Sequence, residues 1–142
     1  MKNPIQELTR LGQSLWYDNI QRRLLQPASV GEIGELAAMI QRGDIRGVTS
    51  NPSIFHNAIA KSNDYDPVLK SLAQSGLTAE QIFWKLAIED ILEACDLFKP
   101  LYAETSGGDG YVSLEVSPYL ADDTDATVAQ AKIYGKLSTG PI

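Results

Sequence analysis

Three short β-rich segments, each followed at once by polar side chains, constrain the fold of this chain more than any other feature. They cover residues 14–18, 46–49 and 111–116, and long stretches with helical periodicity separate them. Neighbouring parallel strands need a long return path, which a helix usually supplies. The pattern therefore predicts an α/β fold with three parallel strands and surrounding helices.

Caps and breakers predict where the helices lie. Asn3 followed by Pro4 is typical of a helix start, and Gly12 of the end of that helix. The capping boxes at residues 29–32 and 78–81 each predict a helix, the first ending at Gly43 and the second ending or kinking at Pro100. The remaining predicted helices cover residues 19–26, 53–60, from 64 or 66 to 76, and 123–135, and residues 136–142 form a tail without periodicity.

Size and charge limit the classes of function. A chain of 142 residues fits one domain, and its net charge of -6 with scattered basic residues disfavours a nucleic-acid partner. The single cysteine, Cys95, cannot form an internal disulfide, which favours a reduced cytoplasmic location. No apolar run is long enough for a membrane span, and residues 1–10 lack the apolar core of a secretion signal. We expect a soluble cytoplasmic protein with no membrane partner.

The polar residues at the strand ends form a candidate site. In parallel α/β folds the chemistry lies at the carboxyl ends of the strands. The three segments end on Asp18, on Thr49 with Asn51, and on Glu115 with Ser117. A carboxylate such as Glu115, placed in a buried strand, is costly unless it is paired or used.

At residues 47–55 the sequence, GVTSNPSIF, resembles the signature of the transaldolase family, and it lies where a strand is predicted to pass into a helix. Residues 14–20 resemble the family's first barrel strand, and residues 112–118, with 122–124, resemble the third. The resemblance extends to about Tyr134. It is strongest to the longer bacterial transaldolases, some of which are fused to glucose-6-phosphate isomerase. It implies that residues 1–142 form the N-terminal portion of an incomplete (β/α)8 TIM barrel.

The resemblance also implies a reaction and a set of partners. Transaldolases transfer a dihydroxyacetone unit between sugar phosphates through a lysine Schiff base, in the pentose phosphate pathway, with no cofactor and no metal. The implied substrates are fructose 6-phosphate, sedoheptulose 7-phosphate, erythrose 4-phosphate and glyceraldehyde 3-phosphate. By position, Asp18 and Glu115 would be catalytic acid/base groups, while Thr49, Asn51 and Ser117 would bind substrate.

No lysine is placed for Schiff-base chemistry by the predicted elements. All seven lysines fall on predicted helices or in the tail, and the family's lysine belongs to a fourth strand that would begin soon after Tyr134. We therefore expect a fragment that is inactive alone. Three alternatives stay open: completion by a C-terminal half, a non-catalytic subunit that forms a homo-oligomer or binds another chain, and a coding accident without function.

Several of the candidate residues also have a purely structural explanation. Asp18 could cap the next helix, Thr49 and Asn51 could be ordinary turn residues, and Glu115 could sit in a structural salt bridge. His56, the only histidine, is expected to be a surface or packing residue without a role. Asp122, Asp123 and Asp125 are better explained by helix capping than by a metal site. The glycines at 107, 108 and 110 are expected to form a flexible turn and not a phosphate-binding loop. Trp16 and Trp84 are expected to lie in the core.

Overall fold

A computed structural model describes residues 3–137 and shows a three-stranded parallel sheet with helices around it. Within that part of the chain the elements are α1 (Pro4–Arg10), β1 (Trp16–Asp18), α2 (Arg22–Leu25), α3 (Glu35–Arg42), β2 (Gly47–Thr49), α4 (Pro52–Ala60), α5 (Asp66–Leu72), α6 (Ala79–Glu104), β3 (Tyr111–Val112), the 3-10 helix η1 (Pro118–Leu120) and α7 (Thr124–Leu137). The predicted α/β class with three parallel strands is confirmed.

The strands lie in the order β1-β2-β3 and in parallel register. Tyr17, Val48 and Val112 stand in one row across the sheet, and the two valines are fully buried. The rows on either side of this one point to the opposite face, because side chains alternate along a strand. That face carries Trp16 beside Gly47. A Cβ atom added to Gly47 would lie 2.6 Å from the indole ring of Trp16.

The long helix α6 supplies much of the core. Its 26 residues place Ile91, Ala94, Phe98 and Leu101 in one buried cluster with residues of β2, β3 and other helices. Phe98 is fully buried, and burial of such a side chain contributes roughly 1.5–3 kcal/mol. Cys95 lies in the same cluster, where burial raises the pKa of its thiol.

Several predicted helix boundaries are confirmed. The Asn3 side chain accepts a hydrogen bond from the backbone of Ile5 at the start of α1, and Gly43 ends α3 in a left-handed conformation. The Thr78 capping box opens α6 with both of its hydrogen bonds, from Gln81 N–H to the threonine hydroxyl at 3.2 Å and from Thr78 N–H to Gln81 at 2.9 Å. Local sequence was sufficient at these positions because the bonding partners lie within four residues.

Other predicted boundaries were wrong. Residues 29–32 do not form a capping box, because α3 begins only at Glu35, after Gly34 packs against the backbone of Leu25. Asn51 caps α4, which begins at Pro52 and not at residue 53. Pro100 lies inside α6 without ending it, and the alternative of a kink there stays a prediction. The 3-10 helix η1 was not predicted.

The first and third strands are shorter and less buried than predicted. β3 ends at Val112, so Glu115 lies beyond the strand and is exposed. Trp16 is 36% exposed, so its assignment to the core was wrong. Of the predicted tail, residues 136 and 137 belong to α7, and residues 138–142 lie outside the described part of the chain.

Within residues 3–137 no helix is both long and apolar enough to cross a membrane.

Candidate functional site

The carboxyl ends of β1 and β2 bring two of the predicted site residues into contact. Asp18 and Thr49 are register partners on adjacent parallel strands, and the Thr49 hydroxyl donates a 2.7 Å hydrogen bond to Asp18 Oδ1. Asp18 is exposed and Thr49 is half-buried. The bond fixes one carboxylate oxygen and leaves the other facing solvent, as a group that binds a ligand or moves a proton requires.

Asp18 does not cap the next helix, since α2 starts after Gln21 and lacks a side-chain cap. The structural alternative for this residue is therefore wrong. Its position depends instead on the parallel register of β1 and β2, which places Asp18 and Thr49 side by side.

Asn51 has a structural duty in this fold. Its side chain accepts a 2.9 Å hydrogen bond from the backbone of Ile54 and so caps α4, while the residue itself stays half-buried. The structural explanation for Asn51 is therefore confirmed for its side-chain oxygen, which serves the helix cap. Its amide N–H groups are the part of the side chain that could still contact a substrate.

Sequence reasoning missed Ser50 and Ser113, which tie the end of β2 to the end of β3. Ser50 is fully buried, and its hydroxyl donates a 2.6 Å hydrogen bond to the backbone carbonyl of Ser113. The backbone N–H of Ser50 also contacts the Ser113 hydroxyl, at 3.4 Å. The signal was present in the sequence, because a serine directly after a buried strand needs a partner.

Glu115 and Ser117 lie in the segment between β3 and η1. Glu115 is exposed and has no ion-pair partner among residues 3–137, so the described part of the chain shows no salt bridge for it. Ser117 is buried, and its backbone N–H donates a 2.6 Å hydrogen bond to Gln130 on α7. The described contacts therefore join Asp18 with Thr49 but do not join Glu115 or Ser117 to that pair.

None of the six lysines in residues 3–137 lies on a strand. All six are exposed, one at the end of α4 and five on helices: Lys61, Lys70, Lys85, Lys99, Lys132 and Lys136. Two of them form surface ion pairs, Lys85 with Glu89 at 3.0 Å and Lys99 with Asp96 at 2.5 Å. Lys2 lies outside the described residues. An amine that forms a Schiff base needs a desolvated setting, which these exposed side chains lack.

A polar clamp joins the amino ends of the three strands, opposite the candidate site. Arg46 precedes β2 and binds Asp109, which precedes β3, with Nη2 to Oδ2 at 2.7 Å and Nε to Oδ2 at 2.8 Å. Ser14, which precedes β1, donates to the other oxygen of Asp109. In barrel-type folds this end of the sheet serves stability and not catalysis.

A second, buried polar cluster follows β1. Arg22 binds Asp90 Oδ1 through Nη2 at 2.8 Å and Nε at 3.0 Å, and the Tyr65 hydroxyl donates to Asp90 Oδ2 at 2.6 Å. Burial raises the pKa of Asp90, although the hydrogen bonds from Tyr65 and Arg22 oppose this shift. Burial by itself lowers the pKa of Arg22, but the hydrogen bond and charge of Asp90 outweigh it and raise that pKa overall. The cluster holds the connection after β1 against α6.

Metal-ligand groups are not evident in the described part of the chain, where no three histidine, cysteine or acidic side chains converge. Asp123 instead accepts a 2.9 Å hydrogen bond from the backbone of Ala126 near the start of α7, which confirms the capping explanation for this residue.

Comparison with known proteins identifies a family match. The model of the transaldolase/fructose-6-phosphate aldolase family matches residues 15–138. The transaldolase of Thiobacillus denitrificans is 48% identical over 130 residues, which is 92% of this chain and 34% of that protein. The transaldolase of Trichodesmium erythraeum is 42% identical over 132 residues, 93% of this chain and 33% of that protein. An Arthrobacter transaldolase is 42% identical over 139 residues, 97% of this chain and 36% of that protein. The chain thus spans about a third of the length of these relatives.

Proposed function

This chain belongs to the transaldolase/fructose-6-phosphate aldolase family, and we propose that it forms the first part of a transaldolase-type active site on an incomplete (β/α)8 barrel. One observation carries the proposal: Asp18 and Thr49 meet at 2.7 Å where two adjacent parallel strands end. This is the end of the sheet at which α/β enzymes of this architecture place their chemistry. The family match covers both residues.

The proposed reaction transfers a three-carbon dihydroxyacetone unit between sugar phosphates. A lysine amine condenses with the ketose carbonyl and releases water, giving an iminium ion. A carbon–carbon bond of the sugar then breaks, its electron pair moves toward the iminium nitrogen to give an enamine, and an aldose leaves. The enamine attacks the aldehyde of a second aldose phosphate, and hydrolysis releases the new ketose.

Asp18 is the group we propose for the proton transfer that accompanies bond cleavage. When the bond breaks, the neighbouring hydroxyl must give up its proton to a base. The exposed carboxylate of Asp18 has one oxygen held by Thr49 and another free to accept that proton. Glu115 acts with a bound water as a second acid/base group, and Thr49, Asn51 and Ser117 hold substrate.

The lysine must come from elsewhere, in our proposal, so this chain does not turn over alone. The exposed positions of the six described lysines, none of which lies on a strand, support this step. The substrates we propose are those implied by the family: fructose 6-phosphate, sedoheptulose 7-phosphate, erythrose 4-phosphate and glyceraldehyde 3-phosphate. The partner is a lysine-bearing segment equivalent to the later part of the relatives.

Two open sheet edges favour a second candidate function, a non-catalytic subunit. β1 and β3 each have a strand on one side only within residues 3–137, and an unpaired edge is a template for another chain. In that case the chain would pair with itself or another protein, and substitution of Asp18 or Glu115 would have no effect on its assembly.

Borohydride trapping with fructose 6-phosphate, followed by intact mass measurement, tests the proposal. We expect no adduct on this chain alone, and an adduct on the added polypeptide when the C-terminal two thirds of the Thiobacillus denitrificans transaldolase is supplied. That polypeptide alone is the control. An adduct on this chain alone would overturn the proposal that the lysine comes from elsewhere.

Substitution separates the catalytic role from simple assembly. In the complemented enzyme, Asp18→Asn should reduce the rate of glyceraldehyde 3-phosphate formation by about 100-fold or more, the usual contribution of a general acid/base. Asp122→Asn is the matched control, since Asp122 is also exposed but lies outside the site. Equal rates for the two variants, or a complex that forms without any activity, would contradict the proposed function and favour the non-catalytic subunit.

A further inference from the structure

The hydrogen bonds between β2 and β3 change their pattern where the two strands end. The backbone N–H of Ser113 donates to the Val48 carbonyl at 2.9 Å, as in a regular parallel pair. One step further, a regular parallel pair would have the backbone N–H of Ser50 donate to the Ser113 carbonyl. The Ser50 hydroxyl makes that bond instead, at 2.6 Å. A side chain therefore replaces the backbone in the last link between the two strands.

The hydroxyl of Ser50 is the stronger part of this link. The backbone N–H of Ser50 contacts the Ser113 hydroxyl at 3.4 Å, which is longer than the usual range of about 2.7–3.2 Å for such bonds. Ser50 is fully buried, whereas Ser113 is half-buried. Because Ser50 exposes no surface, its hydroxyl serves the link and does not contact a ligand.

The link lies among the residues of the proposed active site. Ser50 directly follows Thr49, whose hydroxyl donates to Asp18. Ser113 precedes Glu115 by two residues. The pairing of β1 with β2 holds Asp18 and Thr49 together without any contribution from Ser113. The link therefore bears on the position of Glu115 more than on the other two site residues.

Glu115 lies in the middle of residues 113–117, a segment that is neither helix nor strand. The link to Ser50 holds the first end of this segment against β2. The bond from the Ser117 backbone to Gln130, at 2.6 Å, holds its second end against α7. The exposed carboxylate of Glu115 thus depends on two anchors for its place at the end of the sheet.

We propose that Ser50 is a positioning residue, whose hydroxyl holds the Ser113 carbonyl and thereby fixes where Glu115 stands relative to Asp18 and Thr49. The proposal rests on the proposed function, in which Glu115 acts with a bound water as an acid/base group. Without the hydroxyl, the Ser113 carbonyl loses its partner and the first end of the segment is released. Displacement of a catalytic group by about 1 Å can lower a rate by about 100-fold.

Backbone order parameters from nuclear magnetic resonance of this chain test the positioning directly. In the unchanged protein Glu115 should have an order parameter near about 0.85, the value of a rigid backbone. Ser50→Ala should lower it toward about 0.6, the value of a flexible segment, and should leave Asp18 and Thr49 rigid. An unchanged order parameter of Glu115 in Ser50→Ala would overturn the proposal.

Three further variants serve as controls. Ser62→Ala is the matched control, since Ser62 is half-buried and its hydroxyl also donates to a backbone carbonyl, that of Ala58, at 2.8 Å. Ser113→Ala removes only the 3.4 Å contact and keeps the carbonyl that accepts from Ser50. Ser50→Thr keeps the hydroxyl. All three should leave Glu115 rigid, and a loss of order in Ser62→Ala equal to that in Ser50→Ala would refute a specific link.

Kinetics of the complemented enzyme test the consequence for catalysis. Ser50→Ala should lower kcat by about 10- to 100-fold. KM should change by less than about twofold, because Thr49 and Asn51 keep their own partners in β1 and α4. Ser50→Thr should restore most of the rate, and Ser62→Ala should stay within about twofold of the unchanged protein. A rise in KM with kcat unchanged would contradict the proposed action on Glu115.

A double-mutant cycle shows whether Ser50 acts through Glu115. In a Glu115→Gln background, Ser50→Ala should change kcat by less than about twofold, because the group that it positions is already lost. If the two losses multiply instead, Ser50 acts independently of Glu115 and the proposal fails.

The outcomes for Ser50 and for the proposed function are separable. If Asp18→Asn and Glu115→Gln lower the rate but Ser50→Ala does not, the positioning role fails and the proposed function stands. If the complemented enzyme is inactive, or if Glu115→Gln keeps the full rate, the proposed function fails. The order parameter of Glu115 in this chain alone then still decides whether Ser50 holds the segment.

Discussion

Neutralising the buried Asp90 should lower the free energy of unfolding far more than neutralising an exposed aspartate such as Asp96. Asp90 is fully buried, and the Arg22 side chain that it binds is only 11% exposed. Asp90→Asn keeps the shape of the side chain, and among residues 3–137 it leaves the Arg22 cation with only the more distant Glu89, at 3.4 Å, as a counter-charge. Removing one partner of a buried pair costs about 3–5 kcal/mol, and we expect about 3 kcal/mol because Glu89 remains.

The tyrosine in the same cluster should contribute less. Tyr65→Phe removes the hydroxyl that donates to Asp90 at 2.6 Å and that accepts from the Arg22 backbone at 3.2 Å. The Asp90 oxygen is then left buried without this partner, which costs about 1–3 kcal/mol, whereas the Arg22 N–H is only part-buried and adds little. The aromatic ring, which lies 4.6 Å from the Arg22 guanidinium carbon, stays in place.

Urea unfolding followed by circular dichroism measures both effects. With an m-value of about 2 kcal/mol/M, a loss of 3 kcal/mol lowers the midpoint by about 1.5 M. Asp96→Asn, which breaks the exposed pair with Lys99, is the control and should change the midpoint little. An Asp90→Asn midpoint equal to that of Asp96→Asn would refute the reasoning.

The double variant Arg22→Met/Asp90→Leu tests whether the charges themselves stabilise the fold. The raised pKa of Asp90 indicates that its hydrogen bonds do not fully offset the cost of burial. Replacing a buried ion pair by apolar side chains is often neutral or stabilising. We expect the double variant to be more stable than Asp90→Asn, and a larger loss in the double variant would contradict this view.

Three further predictions concern single positions. Gly110→Ala should cost about 1–3 kcal/mol in urea unfolding, because Gly110 has a φ of 89° and a Cβ atom there would lie 2.7 Å from the backbone nitrogen of Tyr102; an unchanged midpoint would contradict the close approach. Thr78→Ala should cost about 1 kcal/mol by removing the cap of α6, with Thr78→Ser, which keeps the hydroxyl, as the control. Burial raises the pKa of Tyr134 to about 12, so between about pH 10 and pH 12 the unfolded state loses this proton first and stability falls. Tyr134→Phe should lose that part of the fall, and phenolate absorbance should lose one late-titrating group; an unchanged titration would refute the assignment.

Much of the fold could be predicted because its signals are local. The caps at Asn3 and Thr78 and the helix end at Gly43 depend on partners a few residues away, and all three are confirmed. Local signals also misled where the tertiary fold overrode them. The apparent capping box at residues 29–32 forms no helix, because Gly34 is held against the Leu25 backbone and α3 starts later.

The candidate site shows the same division. The motif at residues 47–55 marked Thr49 and Asn51 from sequence, and the register of β1 and β2 then placed Asp18 beside Thr49. The roles of Asp18, Glu115, Thr49, Asn51 and Ser117 stay predictions until substrate is tested. The burial expected for Glu115 was wrong, because β3 ends three residues before it.

The sequence by itself determined the class of fold, the family and the helix starts at Asn3 and Thr78, since these depend on periodicity, on contiguous motifs and on hydrogen bonds between near neighbours. Only the tertiary structure decided which distant polar groups meet. Asp90 lies 68 residues from Arg22 and Asp109 lies 95 residues from Ser14, yet both pairs form hydrogen bonds. Such contacts depend on how α6 packs against the sheet and its loops, and buried polar atoms must find their partners wherever that packing places them.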